Sequence, residues 1–170
     1  MKIILNIAST INGFIAIPDD RNSIISNNAH HTYLSMIEKT GCMIVGRMTF
    51  EVMRANFCFE NVPGCTVIVL TTDKEYKTQF SFCHIASSPE EALSMLEKRG
   101  FESALLLGGG KTNASFVSKK LIDEICINIE PKIIPNGIPL FSIGKYNVNT
   151  ELMSVKKIND TIELHYTVVK

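Results

Sequence analysis

Runs of apolar residues recur along the chain and are separated by segments rich in polar residues. Several runs, such as TVIVL and ALLL, show almost no alternation of apolar and polar positions, which is typical of strands covered on both faces. They predict a buried, mostly parallel β-sheet. The predicted strands are residues 3–8, 43–46, 66–70, 83–86, 104–107 and 125–129.

Helical periodicity occupies the segments between these strands. Apolar residues at i, i+4, i+7 and i+8, starting from Ala29, predict a helix that should end near Gly41. The segment SSPEEALSMLEKRG predicts a second helix, with Ser88 as its N-cap and Glu91 completing a capping box. Two more helices are predicted, one from Thr49 and one from residue 112 or 113 to near residue 120.

The C-terminal segment has a different pattern. Residues 152–158 and 162–169 predict two strands around the sequence NDT, which is typical of a hairpin. Strands that alternate with helices and end in an antiparallel pair predict an α/β fold with a mixed sheet of about eight strands. The length suits one core, so we expect a single domain over residues 1–170.

Composition narrows the class of partner and the compartment. The chain has 45% apolar and 20% charged residues and a formal net charge of zero, so we expect neither nucleic acid nor a membrane as partner. No apolar run approaches the ~20 residues that cross a bilayer. Five widely spaced cysteines without a CxxC pair favour free thiols in a reducing cytoplasm, with no disulfide framework and no metal site.

The stretch LLLGGGKTN joins a predicted strand to a predicted helix through glycines 108–110. A P-loop would require glycine where the chain has Leu105. A Rossmann fingerprint would require glycine where it has Asn113. Both motifs are therefore poor matches to this stretch.

A glycine-rich turn before a helix still favours a phosphate ligand. Glycine lets a ligand approach the backbone, and a helix N-terminus offers free N–H groups and a positive dipole end. Lys111 adds positive charge to the same turn. We therefore predict a diphosphate site, and the alternative is a tight turn that binds nothing.

Two further segments place polar residues at the ends of predicted strands. In VGRMTFE, Arg47 follows a buried strand at the position where ligands usually bind in such sheets, and arginine can bind phosphate or stack on adenine. In VIVLTTD, Thr71 and Thr72 follow the next strand and could bind a ribose phosphate. The alternatives are a solvated surface arginine and a polar strand end.

In this order and spacing, the motifs resemble those of the dihydrofolate-reductase-like superfamily. IASTINGFIA resembles its first strand and loop, VGRMTFE its Gly-Arg-x-Thr segment, VIVLTTD its adenosine-ribose strand, and LLLGGGKTNASF its diphosphate turn, which often holds a cis peptide. The C-terminal half, with LIDEICINIEPKIIPNGIPLF, closely resembles the reductase domain of riboflavin biosynthesis. The resemblance spans essentially the whole chain and implies a three-layer dihydrofolate-reductase-like fold, commonly as a homodimer.

The resemblance implies a reductase that uses NADPH. The glycine turn would hold the diphosphate, the arginine segment the adenosine half, the threonine pair the 2′-phosphate, and the first strand and loop the nicotinamide. The matching positions are Ala8, Ile15, Ala16, Gly46, Arg47, Thr49, Thr71, Thr72, Gly108, Gly109, Gly110, Lys111 and Thr112.

The substrate side departs from the family pattern. Riboflavin reductases usually have aspartate in place of Asn12 and often glutamate in place of Gly108, and of their basic stretch this chain keeps Arg54. Candidate substrate contacts are Asn6, Asn12, Ser26 and His30. His30 titrates near neutral pH and is the candidate proton donor, although a solvated helix start explains it equally. Asn12 is a catalytic candidate only for orienting substrate or water.

Three functions therefore remain open. The first is a riboflavin-type reductase that transfers hydride to a small heterocycle or a ribosylamino pyrimidine. The second is a relative that reduces folate or another pterin, although the helix from Ala29 lacks the carboxylate that folate reductases use. The third is a homodimeric module that binds a dinucleotide without catalysis.

Overall fold

The protein is described from a computed structural model, which covers residues 1–17, 25–56, 59 and 62–170. The strands are β1 (Lys2–Thr10), β2 (Phe14–Ala16), β3 (Cys42–Gly46), β4 (Thr66–Leu70), β5 (Cys83–Ala86), β6 (Ser103–Leu106), β7 (Glu124–Glu130), β8 (Ile138–Pro139), β9 (Thr150–Ile158) and β10 (Thr161–Val168). The helices are α1 (Asn27–Thr40), α2 (Arg47–Ala55), α3 (Pro89–Glu97) and α4 (Gly110–Ser118).

Eight of these strands form one sheet in the order β5-β4-β3-β6-β1-β7-β10-β9. The pairings from β5 to β7 are parallel, and β10 is antiparallel to both β7 and β9. The predicted α/β fold, with its mixed sheet of eight strands and its C-terminal hairpin, is confirmed. A second sheet, in which β2 pairs with β8, was not predicted.

Helices cover both faces of the large sheet, so the molecule has three layers. On one face, Ile37 of α1 and Phe50 of α2 pack on alternate strand residues such as Val67. On the other face, Leu96 of α3 and Phe116 of α4 pack on the intervening positions. The central strands are apolar at successive positions because both of their faces are buried.

The ends of the helices follow local capping chemistry. Ser88 caps α3 by accepting the N–H of Glu91, as the sequence predicts, and α1 ends at Gly41 with a left-handed φ of 66°. Two predicted starts were too late. The structure begins α2 at Arg47 and α4 at Gly110, each directly after a glycine N-cap.

Four cysteines in the described residues are buried free thiols, whereas Cys58 lies outside those residues. Burial raises the pKa of Cys42 and of Cys65 to about 12, so both remain protonated at neutral pH. Within the same part of the chain, no group of three or more His, Cys, Asp or Glu residues could hold a metal ion. No helix there is long and apolar enough to cross a membrane.

The outer end of the large sheet leaves apolar side chains exposed on the face that α3 and α4 cover elsewhere. Leu152 and Val155 of β9 are 54% and 56% exposed, and Ile162 of β10 is 42% exposed. The register pairs Val155 with Leu164 and Leu152 with Tyr166, which places these residues on one face. We call Leu152, Val155 and Ile162 the hairpin patch.

Candidate functional site

Two helices begin side by side at the carboxyl edge of the large sheet. Gly46 ends β3 and caps α2, while Gly109 follows β6 and caps α4, and no side chain caps either helix. The strands are neighbours, and the N–H of Gly46 donates to the carbonyl of Gly108 at 2.7 Å. Two helix N-termini with uncapped N–H groups therefore meet at one point, which favours an anion.

Close packing explains the glycines at two of these positions. A Cβ at Gly46 would overlap Oγ1 of Thr112, and a Cβ at Gly110 would overlap the carbonyl oxygen of Pro139. Gly108 has a φ of 87°, which favours glycine, and its peptide bond to Gly109 is cis. The backbone at this turn is therefore fitted closely to α4 and to β8.

Gly109 has different surroundings. A Cβ there would lie 3.4 Å from Oγ1 of Thr49 and 3.8 Å from Cδ1 of Ile15, which are ordinary contacts. The missing side chain leaves open space between the glycine turn, the first turn of α2 and β2. We call the residues around this space the glycine cradle, and its members are Ile15, Gly46, Thr49, Gly108, Gly109, Gly110 and Thr112.

Lys111 and Arg47 supply the positive charge beside the cradle. Lys111 is the exposed second residue of α4. Arg47 is the first residue of α2, and its Nη1 lies 3.9 Å from Oδ2 of Asp73. Its Cζ lies 5.8 Å from the centre of the Tyr76 ring. The sequence reasoning quoted Asp73 within VIVLTTD and did not weigh its charge.

Thr71 and Thr72 directly follow β4, which pairs with β3. Oγ1 of Thr71 accepts the N–H of Asp73 at 3.1 Å, and Thr72 is exposed. The structure thus places both threonines on the Arg47 side of the cradle, one strand away from α2.

The segment of residues 138–142 fixes the remaining wall. The N–H of Leu140 donates to the carbonyl of Gly13 at 3.0 Å, and the N–H of Ser142 donates to the carbonyl of Gly110 at 3.0 Å. Nδ2 of Asn113 donates to the carbonyl of Leu140 at 2.8 Å. This segment therefore joins the β1–β2 loop, and with it Ile15 and Ala16, to the start of α4.

The predicted substrate contacts lie apart from the cradle and have internal partners. Asn12 accepts the hydroxyl of Thr10 at 2.9 Å and donates to the carbonyl of Ile134 at 2.7 Å. Asn6 is buried under α1, where its Nδ2 donates to Sδ of Met36 at 3.1 Å. Asn12 thus fastens a loop, and Asn6 fastens a helix to the sheet.

Ser26 and His30 stand at the start of α1, and their surroundings differ. Ser26 is the N-cap, and its hydroxyl accepts the N–H of Ala29 at 3.3 Å. His30 is partly buried, and its ring centre lies 5.6 Å from that of Tyr33. Ala8, the last predicted cofactor contact, is buried in β1 at the register position of Asn128.

Glu130 is a polar residue of this region that the sequence reasoning missed. It ends β7 and is only 1% exposed. Its Oε1 accepts both the N–H of Ser26, at 3.1 Å, and the hydroxyl of Ser26, at 2.9 Å. The available signal was an acidic residue at the end of the apolar strand EICINIE, on the same face as Asn128.

The fold and these motifs agree with known proteins. Residues 54–164 match the model of the RibD C-terminal domain. The chain belongs to this family. The Bacillus subtilis protein YwjB, whose function is uncharacterised, is 24% identical over 171 residues, which cover 97% of each chain. The RibD C-terminal match confirms the resemblance to riboflavin-biosynthesis reductases.

Solved structures with the same fold include two reductases. The Thermotoga maritima diaminohydroxyphosphoribosylaminopyrimidine deaminase/5-amino-6-(5-phosphoribosylamino)uracil reductase has a TM-score of 0.78 and 20% identity, over 99% of this chain and 56% of its own. Enterococcus faecalis dihydrofolate reductase, complexed with NADP(H), has a TM-score of 0.72 and 18% identity, over 99% of this chain and 97% of its own. At these identities the likeness concerns the fold.

Proposed function

We propose that this RibD C-terminal domain protein is an NADPH-dependent reductase that transfers hydride directly to a small heterocyclic or ribosylamino substrate of the riboflavin-pathway type. The observation that carries the proposal is the glycine cradle, where two uncapped helix N-termini meet beside Lys111 and Arg47. Such termini favour a diphosphate. Family membership supports the choice of reductase over other nucleotide-binding proteins.

The residues present fit this cofactor. Gly109 leaves clear the space that a Cβ would enter, so a diphosphate could contact the backbone there. In this arrangement Gly108, Gly110 and Thr112 shape the turn, and Lys111 offsets the phosphate charge. When bound, the cofactor would supply the hydride, and the chain would orient it and exclude water.

The remaining predicted contacts divide along the sheet edge. Arg47 and Thr49 would hold the adenosine half, with Thr71 and Thr72 near its 2′ position. Ala8, Ile15 and Ala16 would face the nicotinamide half. The segment 138–142 supports this side because its hydrogen bonds hold the β1–β2 loop next to α4.

His30 remains the candidate proton donor, because its imidazole is partly buried near the start of α1. Asn12 has the weaker geometry for a substrate contact, since both ends of its amide bond to the protein. This engagement favours the second candidate function, a dinucleotide-binding module without catalysis, over a role of Asn12 at the reacting atoms.

A binding titration followed by a turnover assay separates the functions. NADPH and NADH are titrated by following their own fluorescence, and NADPH oxidation is then measured with 5-amino-6-(5-phosphoribosylamino)uracil's oxidised-ribose form, the riboflavin-pathway pyrimidine, and with dihydrofolate. Turnover of the pyrimidine supports the proposal, and turnover of dihydrofolate alone supports a folate relative. Binding without turnover of either supports the module, and failure to bind either dinucleotide contradicts all of them.

We also propose that two copies associate through the hairpin patch. Burying Leu152, Val155 and Ile162 against a second copy would remove apolar surface from water. Val155→Lys should then shift the mass measured by light scattering from two chains to one. Asp160→Asn, at the exposed β9–β10 turn, changes the charge by the same amount and should leave the mass unchanged. A wild-type mass of one chain would contradict the proposal.

A further inference from the structure

Arg47 is the cation that the resemblance assigns to the adenosine half of the cofactor, and it faces a carboxylate. Its Nη1 lies 3.9 Å from Oδ2 of Asp73, and both side chains are about half exposed. Asp73 directly follows Thr71 and Thr72, the residues predicted to lie near the 2′ position. A negative charge therefore stands among the groups that would meet the 2′ substituent.

The turn after β4 holds Asp73 in this place. The N–H of Asp73 donates to Oγ1 of Thr71 at 3.1 Å. Oδ1 of Asp73 accepts the N–H of Glu75 at 3.1 Å, which leaves Oδ2 as the atom nearest Arg47. The carboxylate is thus anchored by its own turn on one side and paired with the guanidinium on the other.

The nearest charges offset one another. Tyr76 donates to Oε1 of Glu51 at 2.5 Å, and Nη2 of Arg54 lies 2.6 Å from Oε2 of Glu51. The Tyr76 hydroxyl, followed by Arg54 and Arg47, lowers the pKa of the Glu51 carboxyl, which is therefore ionised at neutral pH. Arg47 and Arg54 are matched by Asp73 and Glu51, so these four side chains carry no excess positive charge for a phosphate.

We propose that Asp73 is a specificity-determining residue that allows this site to bind NADH about as well as NADPH, an inference that rests on the proposed function. A 2′-phosphate carries a charge of about −1.5 to −2 near pH 7 and is repelled by the carboxylate. A 2′-hydroxyl can donate a hydrogen bond to it. In other dinucleotide sites an acidic residue binds the ribose hydroxyl, and an arginine accommodates the 2′-phosphate.

The arrangement keeps a use for Arg47 that does not depend on the 2′ substituent. A guanidinium can stack on a planar ring as well as pair with an anion, and Arg47 already lies near the ring of Tyr76. Adenine is common to both dinucleotides. Arg47 would therefore contribute similarly to both of them while Asp73 is present, and mainly to NADPH once Asp73 is neutral.

Asp73→Asn tests the inference by binding alone. The wild-type dissociation constants for NADPH and NADH should agree to within roughly fivefold, the effect of one charge pair about 4 Å apart in water. The substitution should tighten NADPH binding by about fivefold and leave NADH binding unchanged or weaker. In about 1 M salt, where the screening length falls to about 3 Å, the gain for NADPH should shrink.

Glu75→Gln is the matched control, because it removes one negative charge from the same turn without altering the Asp73–Arg47 pair. Its NADPH affinity should stay close to that of the wild type. Arg47→Ala should weaken both dinucleotides equally in the wild type, and NADPH more than NADH in the Asp73→Asn background. This non-additivity measures the coupling between the two side chains.

Two outcomes would overturn the role of Asp73. One is a wild-type preference for NADPH above roughly hundredfold, which is about two factors of ten in affinity. The other is an equal change for both dinucleotides in Asp73→Asn. If the wild type binds neither dinucleotide, the proposed function itself fails, and the role of Asp73 fails with it.

Discussion

Gly109→Ala should abolish most dinucleotide binding while leaving the fold intact. Gly109 has a φ of −76°, which alanine adopts readily, and its Cβ would make only ordinary contacts with Thr49 and Ile15. The methyl group would nevertheless occupy the open space of the glycine cradle. We expect affinity for NADPH to fall at least about tenfold, or roughly 1.4 kcal/mol, in a fluorescence titration. The midpoint of thermal unfolding should stay near that of the wild type.

Gly110→Ala is the matched comparison, one residue away. Its Cβ would overlap the carbonyl oxygen of Pro139, which belongs to the backbone and cannot rotate aside. The segment 138–142 must then shift, so thermal stability and binding should fall together. A Gly109→Ala protein that binds NADPH as tightly as the wild type would show that the diphosphate lies elsewhere.

Glu130→Ala should destabilise the fold more than most changes near the site. Oε1 of Glu130 accepts two hydrogen bonds from Ser26, and the carboxylate is almost fully buried. Removing it leaves both donors of Ser26 without their acceptor and opens a cavity between β7 and the start of α1. We expect a loss of about 2–3 kcal/mol, measured by denaturant unfolding.

Glu130→Gln separates hydrogen bonding from charge. The amide oxygen of glutamine can accept both bonds from Ser26, so this variant should lose less than about 1 kcal/mol. A loss as large as that of alanine would assign the effect to the carboxylate charge instead. Wild-type stability in both variants would show that the contact between β7 and α1 contributes little.

Local patterns predicted the elements whose residues carry their own instructions. Strand β4 has the predicted bounds, because five successive apolar or β-branched residues suit a strand buried on both faces. Helix α3 begins where Ser88 and Pro89 place it. Glu91 behaves differently from a standard capping box, since its carboxylate accepts the N–H and the hydroxyl of Ser87.

The missed elements depend on distant parts of the chain. Strands β2 and β8 are three and two residues long and exist because Phe14 pairs with Pro139 and Ala16 with Ile138. Helix α4 begins at Gly110, a residue of poor helix propensity. A bond from Ser142, far along the chain, supports that start.

The same division holds for the candidate site. Residues of the glycine cradle were found because parallel strands bring their carboxyl ends to one edge, so sequence order alone predicts that they are neighbours. The partners of Asn12 and Ser26 were not foreseeable. Asn12 binds the carbonyl of Ile134, and Ser26 binds Glu130, both more than one hundred positions away. The roles of the predicted cofactor and substrate residues remain predictions.

Strand β9 ends the large sheet, so its outer backbone groups have no neighbouring strand in the described residues. Such an edge can recruit strands from other molecules, and lysines and bulges commonly oppose this. Here Lys156 and Lys157 lie in the edge strand, and the pairing of β10 with β9 shifts register between His165 and Tyr166. These features disfavour edge-to-edge addition. Association through the hairpin patch would therefore stop at two chains and would not grow into a continuous filament.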